Sequence, residues 1–526
     1  MKSQFLLLLL LFTSLSFSQS LNIDVQHYTN NITVTDSNDT IVGISEIEIL
    51  FTKTTHSFSI DLININKEGK GMTVSKVLEN DQAVEFSHID DKLNINATTS
   101  ENETRTYTIH YSGVPADGLI ISKNIYDDRT FFSDNWPNRA RNWIPCVDHP
   151  SDKAFVTFKI TAPSHYQVVS NGMLTEETGL SDGNVFYVWK TNVVIPTKVM
   201  VIGIAKFAVE HLGDTQNIPL STWVYPQNKE EGFYDLELTE SVLEYFIENF
   251  GPYPYQKLSS VQSKTRFGGM ENASAIFYPE TFITGDRSNE DTMAHEVVHQ
   301  WFGNSASETH WSHLWLSEGF ATYFTNLYME NKYGKVVFEE RMKSERQAVL
   351  DFAKKRSSPV VDFETTDYIQ LLNANSYDKG GWVLHMLHKK VGNDLFWESI
   401  RTYYDNYKFS NASTDDLRTV FETVTGQDIK AFFNQWLFTA GHPELSIKKS
   451  VEENNLNLEI SQKQKSEHTF TFPIEVKLIY KDDSEEIKTL EVLKRIESFS
   501  LPLKAELKEI VLDPNTWLLY EDVTQN

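Results

Sequence analysis

"HEVVHQWFG", residues His295–Gly303, puts two histidines and a glutamate within five residues of an otherwise apolar helical stretch. Histidines four apart share one helix face, one turn and about 6 Å from each other. Two such imidazoles can reach a single ion at about 2.0–2.1 Å, the zinc–nitrogen distance. Glu296 projects beside the pair, where it can hold a water on that ion. Glu290 and Asp291 suit the first turn of a helix, and Gly303 supplies a stop. A chain with fifteen histidines can meet this spacing by chance, so a third ligand is needed to decide. Glu318 follows His299 after 18 intervening residues, within "LWLSEGFATYF", itself a helical pattern. A helix–loop–helix hairpin of that length can return the carboxylate to the metal face. Two histidines, one carboxylate and an open position make the donor set of catalytic zinc. His310 and His313 lie between these ligands but read as surface or supporting histidines.

The chain has 526 residues, too many for one core, and roughly two to four domains are expected. At 40% hydrophobic and 13% aromatic it can fill packed cores and lies outside the disordered range. A net charge of −26 suits a polyanion poorly, so no nucleic-acid partner is expected. The opening "MKSQFLLLLLLFTSLSFSQS" has Lys2, a short apolar run and then small polar residues, the layout of a cleavable secretory signal over residues 1–20. Export, to periplasm or medium, follows from it, with no stable membrane insertion because no later run can span a bilayer. Cys146 is the only cysteine, so no intrachain disulfide can form and any metal must use histidine and carboxylate.

The period of the hydrophobic pattern divides the rest. Residues 21–215 read as many short strands ("NITVTDSNDTIVGISEIEILF", "TRTYTIHYSG", "KAFVTFKITAP"), an antiparallel, sandwich-like domain. Residues 216–441 turn mainly helical from "ELTESVLEYFIENFG" onward, with a capping box at Ser413 and Asp416. Residues 442–526 alternate again, as in Phe472, Ile474, Val476, Leu478 and Tyr480, and read as a small β-sandwich. The fold class expected is therefore multidomain α+β.

A second stretch, "RFGGMENASAIFY", bears on which bond is cut. Gly268 and Gly269 leave backbone open for another chain to pair as an added strand. Glu271, 24 residues before His295, then offers a carboxylate at the end of that strand, where a free α-amine would match it. Read alone, the stretch is equally a glycine turn with a solvated glutamate.

Together the two stretches resemble the gluzincin aminopeptidases, the family of aminopeptidase N and the leukotriene hydrolase/aminopeptidase. The family's Gly-x-Met-Glu-Asn motif corresponds to Gly268, Gly269, Met270, Glu271 and Asn272, and its zinc motif to His295, Glu296, His299 and Glu318. "SYDKGGWVLHML" is similar to the family's Tyr-x-Lys-Gly segment and makes Tyr377 the counterpart of its catalytic tyrosine. The resemblance implies a thermolysin-like catalytic domain and one Zn2+ per chain. It further implies peptide substrates with a free N-terminus, Glu296 as general base and acid, Tyr377 at the oxyanion, and residues 268–272 at the substrate. Two departures stand out. Trp136 occupies the position where the family usually has a Gln or Glu holding the amine, which leaves a second amine anchor open, Asp134 being a nearby but not favoured candidate. The chain also ends where many members begin a large helical domain, so an oligomer that covers the cleft is one expectation. A zinc-dependent epoxide hydrolase and a non-catalytic binding relative are the competing readings.

Overall fold

The computed structural model describes residues 22–524. The expected signal over residues 1–20 lies outside them. Among the described residues no helix is long and apolar enough to cross a membrane.

Period-two burial builds the N-terminal sheet. In Ile41–Phe51 the residues Ile41, Ile47, Ile49 and Phe51 are buried and their neighbours less so, because successive side chains leave opposite faces. This strand lies between Ile23–Thr33 and Glu103–Val114 in a nine-stranded sheet. A three-stranded sheet packs on it: Phe58 meets Phe51 and Tyr107 with ring centroids 5.3 and 4.9 Å away. The sheet is not wholly antiparallel as expected. Ile23–Thr33 pairs in parallel with Lys153–Pro163, because more than a hundred residues separate them and no tight hairpin dictates their direction.

The expected boundary between 215 and 216 falls inside a hairpin. Ala208–Thr215 pairs with Ile218–Val224, which continues in parallel onto Leu258–Ser263 and then Ala275–Pro279. The structural break therefore lies between Ala205 and Ala208, and this four-stranded sheet belongs with the helices. Those helices are α1 (Lys229–Leu236), α2 (Thr239–Phe250), α3 (Glu290–Val298), α4 (Trp315–Tyr333), α5 (Lys335–Ala353), α6 (Gly380–Val391), α7 (Asn393–Tyr407) and α8 (Thr414–Thr425). The capping box at Ser413 and Asp416 opens α8 as read.

Beyond Gly441 a four-stranded and a three-stranded sheet form the C-terminal sandwich, filled by Leu456, Leu458, Ile460, Ile474, Val476 and Leu478. Its last loop docks on the helices. His385 on α6 bonds the Thr516 carbonyl at 2.9 Å and stacks on Trp517, and Arg346 on α5 pairs with Asp513 at 2.8 Å. One hydrophobic core runs from Ile23 to Tyr520 through all three parts.

Candidate active site

Helix α3 carries the first ligands because its sequence gives it one buried face, Met293, Ala294, Val297 and Val298. Its N-terminus is anchored by Glu290, which accepts from Tyr328, Lys332 and Tyr333 on α4. These contacts fold the α3–α4 hairpin shut and return Glu318 to the histidines. His295 Nε2 and His299 Nε2 lie 3.0 Å apart, and each is 3.3 Å from Glu318 Oε2. Tetrahedral ligands at zinc–donor distances of about 2.0–2.1 Å would stand about 3.3 Å apart, so this triangle has the right size. The donor set, two imidazoles and a carboxylate without thiolate, suits zinc among the common metals. His299 Nδ1 lies 3.1 Å from the Phe302 carbonyl, and donation to it leaves the Nε2 lone pair for the metal. Burial opposes charging of the His299 imidazole, but the Glu318, Glu271 and Glu296 carboxylates around it raise its pKa to about 10.

Glu296 stands on the same helix, buried, and burial pushes its carboxyl well above the ordinary range. His299 opposes that rise, and Glu271 and Glu318 add to it. Gly269 is packed directly on this carboxylate. A Cβ there would stand 2.3 Å from Glu296 Oε1, so the glycine admits the base rather than only opening an edge.

The edge itself is present. Met270 exchanges backbone hydrogen bonds with Phe277 at 2.8 and 2.9 Å, which aligns residues 268–270 along the rim of the four-stranded sheet. Glu271 comes next, buried, and its Oε1 has no hydrogen-bond partner among the described residues. Burial raises its pKa, opposed by His299. Asn272 is buried behind it.

Tyr377 arrives from the turn Asn375–Lys379, one π-type turn that leads into α6, a feature frequent at functional sites. The turn reaches the metal ligands because α4 and α6 cross backbone to backbone. A Cβ on Gly319 would stand 2.8 Å from Gly380 Cα. Tyr377 stacks on His295, centroids 5.9 Å apart and planes at 9°. Burial, then Glu318, holds its hydroxyl well above the usual tyrosine value, so it keeps its proton.

A cleft of about 440 Å³ is lined by Gly268, Gly269, Met270, Glu271, His295, Glu296, His299, Glu318 and Tyr377, with Trp136 and Phe267 beside Met270 and Thr292, Thr322 and Arg341 on helices. Asp134 does not serve the cleft: it is buried against Arg139 at 2.7 Å and accepts from the Arg266 N–H at 3.1 Å. Trp136 lines the wall there, leaving Glu271 as the carboxylate at this end. His310 caps its own short turn, and His313 bonds Thr414 at 2.9 Å, held neutral with a pKa near 4 by burial. Neither belongs to the ligand cluster.

Two residues escaped the sequence reading. Gln300 Nε2 and Asn304 Nδ2 both donate to the Glu271 carbonyl, at 2.8 and 2.6 Å. Their only signal is polarity in an apolar run directly after the zinc motif.

Residues 24–199 match the Peptidase M1 N-terminal domain and residues 234–436 the Peptidase family M1 domain. Human glutamyl aminopeptidase is 30% identical over 331 residues, 60% of this chain and 34% of that protein. Bovine glutamyl aminopeptidase is 29% identical over 395 residues, 71% of this chain and 41% of that one. The leucyl aminopeptidase of Saccharolobus solfataricus is 25% identical over 407 residues, 74% and 51% respectively. The chain thus spans between about a third and a half of the length of these relatives.

Proposed function

The chain belongs to peptidase family M1, a family of metallopeptidases, and we propose that it is a zinc aminopeptidase that removes one residue from the N-terminus of peptides, exported by the signal pattern of residues 1–20. One observation carries the reading. A buried carboxylate oxygen without a hydrogen-bond partner among the described residues, Glu271 Oε1, shares a cleft with three metal-ligand side chains. A buried acceptor left unpaired costs about 1–3 kcal/mol, which a substrate ammonium would recover. Because the charge sits at one end of the cleft, it selects a terminus and disfavours an internal segment.

His295, His299 and Glu318 would hold the zinc, one per chain. Bound there, it supplies Lewis-acid polarisation of the scissile carbonyl and a water acidic enough to attack near neutral pH. Glu296, on the ligand helix and facing the cleft, takes the proton from the attacking water and passes it to the departing amine. Tyr377, still protonated, donates to the carbonyl oxygen as charge grows on it, a contribution of about 10²–10³ in rate for one donor. The backbone of residues 268–270 would hold the first substrate residue as an added strand.

A panel of aminoacyl fluorogenic amides tests the reading, with N-acetylated controls, a chelator and zinc readdition. Hydrolysis of free-amine substrates alone, lost to chelator and restored by zinc, is expected. Turnover that survives metal removal would refute it.

A further inference from the structure

Substrates of this cleft must place the α-amine on Glu271 and the first carbonyl over the metal ligands, so the distance between those two points acts as a ruler. What sets it is visible in the fold. The Glu271 carbonyl has two acceptor directions and both are taken by buried amides, Gln300 Nε2 at 2.8 Å and Asn304 Nδ2 at 2.6 Å. Neither side chain has measurable exposure. One donor would satisfy a buried carbonyl, and here there are two. Gln300 follows His299 directly, and Asn304, in the turn beyond Gly303, is tied back by its own N–H, which donates to the His299 carbonyl at 3.1 Å, so both are fixed to the element that carries the metal ligands. Gln300 also reaches forward: its Oε1 accepts from the Ser274 N–H at 2.9 Å, so one amide grips the loop on both sides of Asn272. Among the described residues Trp136 lines the cleft beside the 268–271 stretch, and Asp134 is turned away onto Arg139.

We propose that Gln300 and Asn304 are positioning residues that tie the amine anchor to the metal helix, and so restrict the enzyme to α-amino acyl substrates. A β-amino acyl group carries its amine one carbon farther from the carbonyl and does not fit a fixed ruler. A misplacement of about 1 Å can cost about 10²-fold in rate. The inference rests on the aminopeptidase reading.

The experiment compares alanyl and β-alanyl arylamides on the zinc-loaded enzyme, with zinc content measured for every variant. The wild type should favour the alanyl substrate strongly. Gln300→Met, which keeps the side-chain length but none of its hydrogen bonds, the 3.3 Å one from the Tyr253 hydroxyl included, should retain zinc while the preference narrows about tenfold, mostly through the alanyl KM. Gln300→Glu, assayed at a pH high enough to ionise the buried carboxyl, keeps the acceptor for Ser274 but sets a second oxygen against the Glu271 carbonyl. It should lose the preference in the same way. If Gln300 merely props the Ser274 loop, Gln300→Glu will retain the wild-type ratio, and the proposal falls. It falls equally if both substrates slow by one common factor. Should Gln300→Met fail to fold, Gln300→Glu and Asn304→Ser are read by the same ratio. A wild type that hydrolyses no aminoacyl arylamide of the panel would instead refute the aminopeptidase reading.

Discussion

Glu271 and Glu296 are both buried carboxylates in one cleft, yet they are asked to do different things, and substitution separates them. Glu296→Gln removes the proton acceptor but none of the three ligand atoms. It should bind zinc like the wild type and lose hydrolysis by about 10²–10⁴-fold, the usual worth of a general base. Glu271→Ala should also keep its zinc, and it should lose free-amine substrates far more than it loses metal. Metal analysis beside kinetics checks both, and equal loss of zinc and turnover would contradict the assignment. Tyr377→Phe should lower kcat by about 10²–10³ with little change in KM, and an unchanged kcat would remove the oxyanion role. Glu296 and Glu271 stand in local patterns that single them out in the sequence, the four-residue histidine spacing on a helix and the glycines before a glutamate, whereas Tyr377 came forward only through the family resemblance. Gln300 and Asn304 were not legible, because their partner is a backbone carbonyl 29 and 33 residues away. A main-chain acceptor leaves no trace in side-chain spelling.

Among the elements, the crossing of α4 over α6 sets the site. Glu318 lies next to Gly319 on one helix, and Tyr377 three residues before Gly380 on the other, so the closeness of the two glycines is the closeness of ligand and hydroxyl. Gly319→Ala should push the helices apart, cost about 1–3 kcal/mol in denaturant unfolding and lower kcat. Full activity with unchanged stability would show that the crossing is slack. Helix α5 carries a separate test. Glu345 accepts from Asn326 at 2.7 Å, and burial raises its carboxyl to about 8. Below the ordinary glutamate value, folded and unfolded chains are both protonated there. Between that value and about 8 only the unfolded chain ionises, so stability falls as pH rises through this window. Glu345→Gln removes that loss. Its urea midpoint, relative to wild type, should therefore climb between pH 5 and 8, and a pH-independent difference would contradict the burial effect. Helix and strand types were legible from periodicity, including the capping box at Ser413. The 215/216 boundary was not. Alternation marks Ala208–Thr215 as a strand, but only pairing onto Leu258–Ser263 assigns it to a sheet.

The N-terminal and catalytic parts are joined by buried polar contacts that reach the loops supporting the site. Lys198 and Glu308 form a buried ion pair at 2.6 Å between the N-terminal domain and the loop after α3. Lys153 donates to the Asn304 and Ser305 carbonyls at 3.1 and 2.6 Å. Asn171 donates to the Ala273 carbonyl at 2.7 Å, beside the amine-anchor loop. The N-terminal domain thus supports both ends of the 271–304 clamp, a role that no local pattern announced. The most direct test of the whole arrangement is mass spectrometry of a hexapeptide and its N-acetylated twin, incubated with the zinc-loaded enzyme and sampled over time. The arrangement predicts a ladder of products shortened one residue at a time from the free N-terminus, with the acetylated peptide intact. Internal fragments, or equal consumption of the acetylated peptide, would contradict it.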